Sequence, residues 1–300
     1  MVRKGYFIAV AALMFLFGPS VIVPAQSDNS IMWEAVNIER RDLYNGPGGV
    51  AMRPNLRRVQ LIEKEKGGNN LKYRIRDASG RIWVAKIADE SQPEVAAVRL
   101  LYGIGYKTEV NYIAPRLTIP RVGSFRNASL EARPEHIERQ GRWSWDDNPF
   151  AARRELHGLK IMMALINNWD IKDGNNVILG HPGEQHFVIS DLGSSFGKLP
   201  ISSKFLLNRV GRNVNDPVDY ANTDFVRGSD SGFIDFSYKG KAVGLFDEIP
   251  VEDGRWLAGL LSRLSAKQID DAFRAANYTA AQRRILVAEV RNRIKSLAAL

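Results

Sequence analysis

The chain has 300 residues and not one is cysteine. Disulfides, cysteine–zinc sites, thiol nucleophiles and a lipid-modified cysteine anchor are all excluded. Histidine is scarce. The four residues are His136, His157, His181 and His186, and none has the spacing of a helical zinc pair. There is no internal repeat and no low-complexity tract. No stretch interleaves aromatic and basic residues densely enough to suggest a nucleic-acid partner, so none is expected. Beyond the first 25 residues, no apolar run is long enough to imply a transmembrane segment.

Forty-five per cent of the residues are hydrophobic and 25% charged, which suits a packed core with an ordinary solvated surface. Formal net charge is +9. Part of it belongs to an N-terminal segment with three recognisable pieces. Arg3 and Lys4 make a short basic start, Gly5 to Phe17 is almost wholly apolar, and Val23-Pro24-Ala25 offers the small residues that a signal peptidase reads. The pattern predicts a signal peptide over 1–25, cleaved after Ala25, and a secreted or periplasmic protein. The alternative is an uncleaved anchor. The remaining positive surplus is modest, and a solvated basic surface explains it as well as an anionic partner does.

Residues 26–55 show little periodicity and are read as an N-terminal extension. A β-rich region follows over 56–122. Alternating apolar residues around Val59, Leu71–Ile75 and Ile82–Val84, separated by turn-rich tetrapeptides, predict an antiparallel meander. Val95, Val98, Leu101 and Tyr102 share one helical face after Pro93. Residues 106–122 hold two further candidate strands. The polar stretch 123–150 reads as a connection or surface insertion. Residues 151–300 are mainly helical, interrupted by a hairpin (Val177–Leu179 with Phe187–Ile189) and by the irregular segment 197–250. The expected class is α+β: a small antiparallel β lobe followed by a mainly helical lobe, with a ligand cleft between them.

The most informative stretch runs from Trp169 to Phe196. Asp170 is followed by Lys172 and Asn175, and after a hairpin comes Asp191-Leu192-Gly193. Phosphoryl transfer needs groups in this order: a carboxylate to orient the attacking hydroxyl, a cation near the transferred group, and oxygen ligands for metal ions. Upstream, Trp83-Val84-Ala85-Lys86 approximates, one residue short, the V-A-x-K form of a phosphate-gripping lysine.

On these residues the chain resembles the protein-kinase-like superfamily, in its atypical branch of HipA-type, phosphatidylinositol and secretory-pathway kinases. It is also similar to uncharacterised bacterial envelope proteins sharing the pattern Trp143-x-Trp145-x-x-Asn148-Pro149-Phe150, Ala164-Leu165-Ile166-Asn167-Asn168-Trp169-Asp170 and Ser190-Asp191-Leu192-Gly193. The resemblance covers roughly residues 57–297. It implies a two-lobed protein-kinase-like fold and an ATP-dependent phosphotransferase acting on an unidentified hydroxyl acceptor. Asp170 takes the catalytic position and Lys172 the neutralising cation. Asn175 and Asp191 become ligands of Mg²⁺ or Mn²⁺, with Asn176 as the alternative should the register slip by one. Lys86 grips the phosphates of ATP, paired with Glu94, and Gly67-Gly68 covers them. Three departures stand out. Glu94 follows Lys86 by only eight residues, Gly67-Gly68 lacks the full glycine-rich spacing, and Asn168-Trp169 stand before Asp170 where His-Arg is usual. Trp143 and Trp145 could stack a ligand or cover the core, and the core reading is favoured. A nucleotide-binding protein without catalysis is the alternative function.

Overall fold

The computed structural model describes residues 29–66, 70–197 and 214–300, so the expected signal peptide lies outside the described residues. Among the described residues, no helix is long and apolar enough to cross a membrane. The chain enters with a short strand β1 (Ser30–Ile31) and two 3₁₀ turns, Ile38–Arg40 and Gly46–Gly48. Then come β2 (Gln60–Lys64), β3 (Leu71–Arg76), β4 (Ile82–Ile87), α1 (Ser91–Gly103), β5 (Asn111–Ile119) and β6 (Gly123–Ala132). The five longer strands form one antiparallel sheet in the order β2-β3-β4-β6-β5.

The two-residue period of a strand sorts this sheet's faces. Trp83 and Ala85 of β4 are buried with Tyr73, Ile75, Ala128 and Leu130. Their neighbours Val84 and Lys86, with Ser129 and Glu131 of β6, line a cleft on the other face. The turn from β3 to β4 is organised by Asp77. Its carboxylate accepts from the backbone N–H groups of Asn55, Ser79 and Arg81, from Ser79 Oγ and from Trp83 Nε1 at 2.7–3.0 Å.

Three sequence expectations need correction here. Residues 123–132, read as part of a connection, form β6, an interior strand of the sheet. Its cleft-facing residues are polar because they line a charged site, and that polarity hid the strand. Correspondingly, 106–122 hold one strand of this sheet, β5, where two were expected. The described part of the N-terminal extension is likewise no appendage. Met32, Ile38 and Leu43 are each 1% exposed within the main core.

The second half continues with β7 (Glu138–Gly141), α2 (Arg154–Leu165), β8 (Asn176–His181) and β9 (Glu184–Ile189). A sheet of order β1-β9-β8-β7 lies here, with β1 parallel to β9. Next come α3 (Pro217–Ala221), the hairpin β10 (Val226–Asp230)–β11 (Phe233–Phe236), α4 (Val251–Leu261), α5 (Ala266–Ala275) and α6 (Ala280–Ala298). Capping boxes start α5 (Ser265 with Gln268) and α6 (Thr279 with Gln282), which satisfies backbone donors at both helix starts. Leu156, Leu159, Ile161, Met162, Met163 and Leu165 of α2 are all buried, as befits a central helix apolar on most of its circumference.

Arg293 of α6 ties this half together. Its guanidinium is 2% exposed and donates to the carbonyls of Leu165, Tyr220 and Thr223 at 2.7–3.0 Å, while Glu289 pairs with it at 2.7 Å. Arg293→Ala is therefore expected to cost at least about 3 kcal/mol, because it orphans several buried carbonyls and the Glu289 carboxylate. Urea denaturation of the two proteins measures this; a loss below about 1 kcal/mol would show that the contacts are dispensable.

Candidate active site

The β4–α1 junction brings Lys86 and Glu94 together. α1 begins only five residues after the β4 lysine, and Ser91 Oγ donates to Lys86 O at 2.9 Å across the junction. The first helical turn thus lies beside the end of the strand. That is why the short gap between Lys86 and Glu94, unusual by sequence, still closes the pair. Lys86 Nζ is 3.4 Å from Glu94 Oε2, 3.4 Å from Glu90 Oε2 and 3.0 Å from Asp191 Oδ1. Ser129 Oγ donates to Glu94 Oε2 at 3.2 Å.

One ammonium thus faces three carboxylates. Burial alone would push the Lys86 pKa down, but Glu94, Asp191 and Glu90 outweigh it and hold the lysine charged. Glu94 goes the other way. Burial pushes its carboxyl up to about 7, and Asp191 and Glu131 reinforce that against the pull of Lys86. The surplus of carboxylates contributes to both: it keeps Lys86 charged and adds to the burial that raises Glu94.

The loop after α2 delivers Asp170. Asn167 leaves the helix with φ +51°, and Asn168 N–H closes the helix end on Met163 O at 2.8 Å. Asn168 Oδ1 then accepts from Asp170 N–H at 3.0 Å, and Tyr238 Oη donates to Asn168 O at 2.7 Å. Asn168 occupies the position where His is usual in the resembled family, and it supports the loop through these bonds. Asn175 Nδ2 donates to Asp170 O at 2.9 Å, which leaves its amide oxygen for a ligand. Ser190 N–H donates to Asn175 O at 2.7 Å. With β8 and β9 paired from Asn176–Ile189 onward, that bond sets Asn175 beside Asp191. Asn176 is placed differently: its Nδ2 donates to Trp143 O at 3.0 Å and its Oδ1 is enclosed without a partner. Trp143 and Trp145 are each 3% exposed and back this loop from the core. Trp143 Nε1 donates to Val188 O at 2.9 Å, and Trp145 N–H to Asp173 Oδ1 at 3.1 Å.

Lys86, Glu94, Asp170, Lys172, Asn175 and Asp191 all line one cleft of about 660 Å³, with Val84 and Val177 among its few apolar walls. The structure therefore brings together these six residues predicted for the site, while Trp143 and Trp145 take the core position. Gly67 and Gly68 lie outside the described residues; the flanking Lys66 and Asn70 line the cleft. Among the described residues, no group of three or more His, Asp or Glu side chains forms a metal cage. A site of one amide and one carboxylate is nevertheless a normal protein contribution for Mg²⁺, which keeps waters and phosphate oxygens as its other ligands.

Gly193, next to Asp191, is packed where no side chain fits. A Cβ there would lie 2.6 Å from Glu90 Cβ, 3.0 Å from Glu90 O and 3.2 Å from Lys86 Nζ.

Two features escaped sequence reading. Lys241 reaches Asp170 Oδ1, while Lys172 Nζ binds Oδ2 at 2.6 Å. Burial works to raise the Asp170 pKa, but the two lysines more than reverse it, and the carboxylate stays ionised below its usual range. Lys241 is held in place by its backbone N–H on Trp169 O at 2.8 Å. It lies in a segment without periodicity or motif, seventy-one residues from its partner, so no sequence signal could have found it. The second feature is a charged box of Glu109, Glu131, Arg133 and Arg139, of which the last three line the cleft. Burial pushes the Glu109 carboxyl well up, helped by the adjacent Glu131. Glu131 resists its own burial through Arg133 and a hydrogen bond with Glu109, and stays ionised with a pKa near 2. Arg139 Nη2 also donates to Ser190 Oγ at 2.9 Å, linking the box to the residue before Asp191.

The sheet order, the helix after the third strand of the five-stranded sheet and the loop–hairpin–loop site together define a protein-kinase-like fold, α+β, with a small antiparallel β lobe ahead of a mainly helical one. In particular, the chain is similar to the crystal structure of the Helicobacter pylori proinflammatory kinase CtkA, with a TM-score of 0.51 and 11% sequence identity over 82% of this chain and 96% of that one. This likeness establishes the fold. The Rio2 kinase of Chaetomium thermophilum, solved as an ADP/Mg²⁺-phosphoaspartate complex, is more distant (TM-score 0.33, 14% identity, 78% of this chain and 71% of that one) and carries no weight. No family model and no curated protein sequence matches the chain.

Two outcomes follow from the crowded carboxylates. Because folding raises the Glu94 pKa from 4.5 to about 7, its protonated form supports the fold fully below about pH 4.5, and that support is lost as pH rises through 7. Glu94→Gln should therefore gain stability relative to the parent protein between pH 5 and 8, on the order of 2–3 kcal/mol. Denaturation at several pH values reads this, and a pH-independent difference would contradict it. Gly193→Ala is expected to destabilise by about 1–3 kcal/mol through the forced shift of Glu90 and Lys86, and an unchanged melting temperature would count against that close packing.

Proposed function

We propose that the cleft binds ATP with a divalent cation and transfers the γ-phosphoryl group to a hydroxyl acceptor. One observation carries this reading: Lys86 with Glu94, Asp170, Asn175 and Asp191 converge on a single cleft. The fit to a cation is chemical. Asn175 has a free amide oxygen and Asp191 a free carboxylate oxygen, and the neighbouring cluster has a surplus of negative charge. Mg²⁺ or Mn²⁺ held there would neutralise charge on the phosphates.

The chain's own residues supply the rest. Lys86 donates to the non-transferred phosphates, and Glu94 keeps its ammonium aimed into the cleft. Asp170 accepts the hydrogen bond of the acceptor hydroxyl and turns its oxygen toward the γ-phosphorus. A new O–P bond forms as the bond to the bridging oxygen breaks, ADP leaves, and the hydroxyl proton passes to Asp170. Lys172 and Lys241 stand on either side of that carboxylate. They can offset charge on the group in transit, and one of them must yield an Asp170 oxygen to the acceptor. Positioning and charge neutralisation account for most of the rate in such a site. The extracytoplasmic setting is a separate proposal supported by the N-terminal sequence pattern alone, and cell fractionation tests it.

Both Asp170 oxygens are engaged by lysines, and this favours one second reading: a cleft that binds nucleotide without transferring phosphate. A single set of measurements separates the two. Mg-ATP should raise the melting temperature of the protein but not of Asp191→Ala. Labelled phosphate should reach an acceptor from a broad panel of proteins, lipids, sugars and small molecules, and Asp170→Ala should lower that rate by about 10²–10⁴-fold. Binding without any transfer selects the second reading. Absence of both binding and transfer removes the phosphotransferase proposal.

A further inference from the structure

A second pocket, of about 350 Å³, shares no lining residue with the cleft. Its walls include Tyr44, Arg53, Arg99, Tyr112, Arg274 and Asn277. Arg99 comes from α1 and is 1% exposed. Its Nη1 donates to Asn111 Oδ1 at 3.2 Å and its Nη2 to Asn111 O at 2.6 Å, while its Nε is buried with no partner. The guanidinium lies 5.2 Å from the centre of the Tyr112 ring, and the Gly46 backbone presses so close that a Cβ there would meet it at 2.3 Å. These contacts hold the group rigidly without neutralising it.

Arg53 and Arg274 complete a cationic set around Tyr44, with guanidinium carbons 5.2 and 4.2 Å from its ring centre. Arg274 is paired with Asp271 at 2.6 Å. Arg53 and Arg99 have no ion-pair partner among the described residues. The nearby Asp42 attracts both electrostatically but pairs with neither, its carboxylate being bonded to the backbone N–H of Asn45 at 3.0 Å and to its Nδ2 at 2.5 Å. Burial draws the Arg99 pKa down to about 10, so the group remains charged at neutral pH. A buried guanidinium without an ion-pair partner is costly, and the groups that best offset it are oxyanions matching its planar fork. Two unpaired guanidiniums match the charge of one phosphate dianion.

We propose that this pocket binds the phosphate group of a small phosphorylated molecule, with Arg99 as the inner contact and Arg53 and Arg274 at the rim. The site stands on its own geometry and does not depend on the function of the cleft. A consequence for regulation does rest on the phosphotransferase reading. Arg99 and Glu94 lie on the same helix, five residues apart, so filling the pocket braces the element that presents Glu94 to Lys86.

Calorimetric titration of the full chain with inorganic phosphate and with phenyl phosphate tests the site. Saturable binding is expected, weakened at least tenfold in the double variant Arg53→Gln/Arg274→Gln, whose substitutions leave the buried Arg99 and the fold in place. Lys172→Gln, which alters only the cleft, should bind as the parent does. Tighter binding of phenyl phosphate identifies an organic phosphate as the ligand class, and equal binding identifies free phosphate. Absence of binding at millimolar concentration overturns the proposal, and so does binding that survives the double variant or is lost in Lys172→Gln. The coupling is read separately, as the affinity for Mg-ATP with and without saturating phenyl phosphate. An unchanged affinity alongside intact phosphate binding overturns the coupling alone, whereas failure of Mg-ATP to bind at all strikes the cleft reading and leaves the pocket standing.

Discussion

The ammonium group of Lys86 is the point at which three parts of the chain meet. It comes from β4, Glu90 and Glu94 come from the start of α1, and Asp191 comes from the end of β9, and all three carboxylates lie within 3.4 Å of one nitrogen. The arrangement is costly by itself. Three buried or half-buried carboxylates around one cation leave Glu94 preferring its proton near neutrality. Such over-charged clusters are enriched at functional sites, where the imbalance can serve a ligand. Here it lies beside the two oxygen-bearing residues, Asn175 and Asp191, whose register is set by backbone bonds between β8 and β9.

The opposite wall has the reverse character. Asp170 carries one negative charge against Lys172 and Lys241, so the cleft runs from an anionic inner corner to a cationic one. Between them, the Glu109–Glu131–Arg133–Arg139 box connects the sheet to Ser190, so the two halves of the chain are joined by ion pairs as well as by the covalent connection. The aromatic layer of Trp143 and Trp145 supports this from beneath.

Much of this was legible in residue order. Local patterns exposed the antiparallel meander, the helix after it, the buried α2 and the hairpin before Asp191, because periodicity and turn chemistry act over a few residues. Asp170, Lys172, Asn175 and Asp191 were readable for the same reason: they lie within twenty-two residues and one hairpin. What escaped was polar. β6 reads as a loop because its cleft face carries Ser129 and Glu131, and the segment 26–55 reads as an extension because Met32, Ile38 and Leu43 are isolated apolar residues without a period.

Residue order alone, then, determined the succession of elements, the α+β class and the identity of the candidate site residues, since each depends on short-range spacing. Only the tertiary structure decided that Glu94 reaches Lys86 despite its short gap, that Lys241 joins Asp170 and that Arg99 is buried without an ion-pair partner. Those facts depend on contacts between segments remote in the chain. No local pattern encodes such contacts, because they arise only when separate hydrophobic faces are buried against one another and carry their polar neighbours with them.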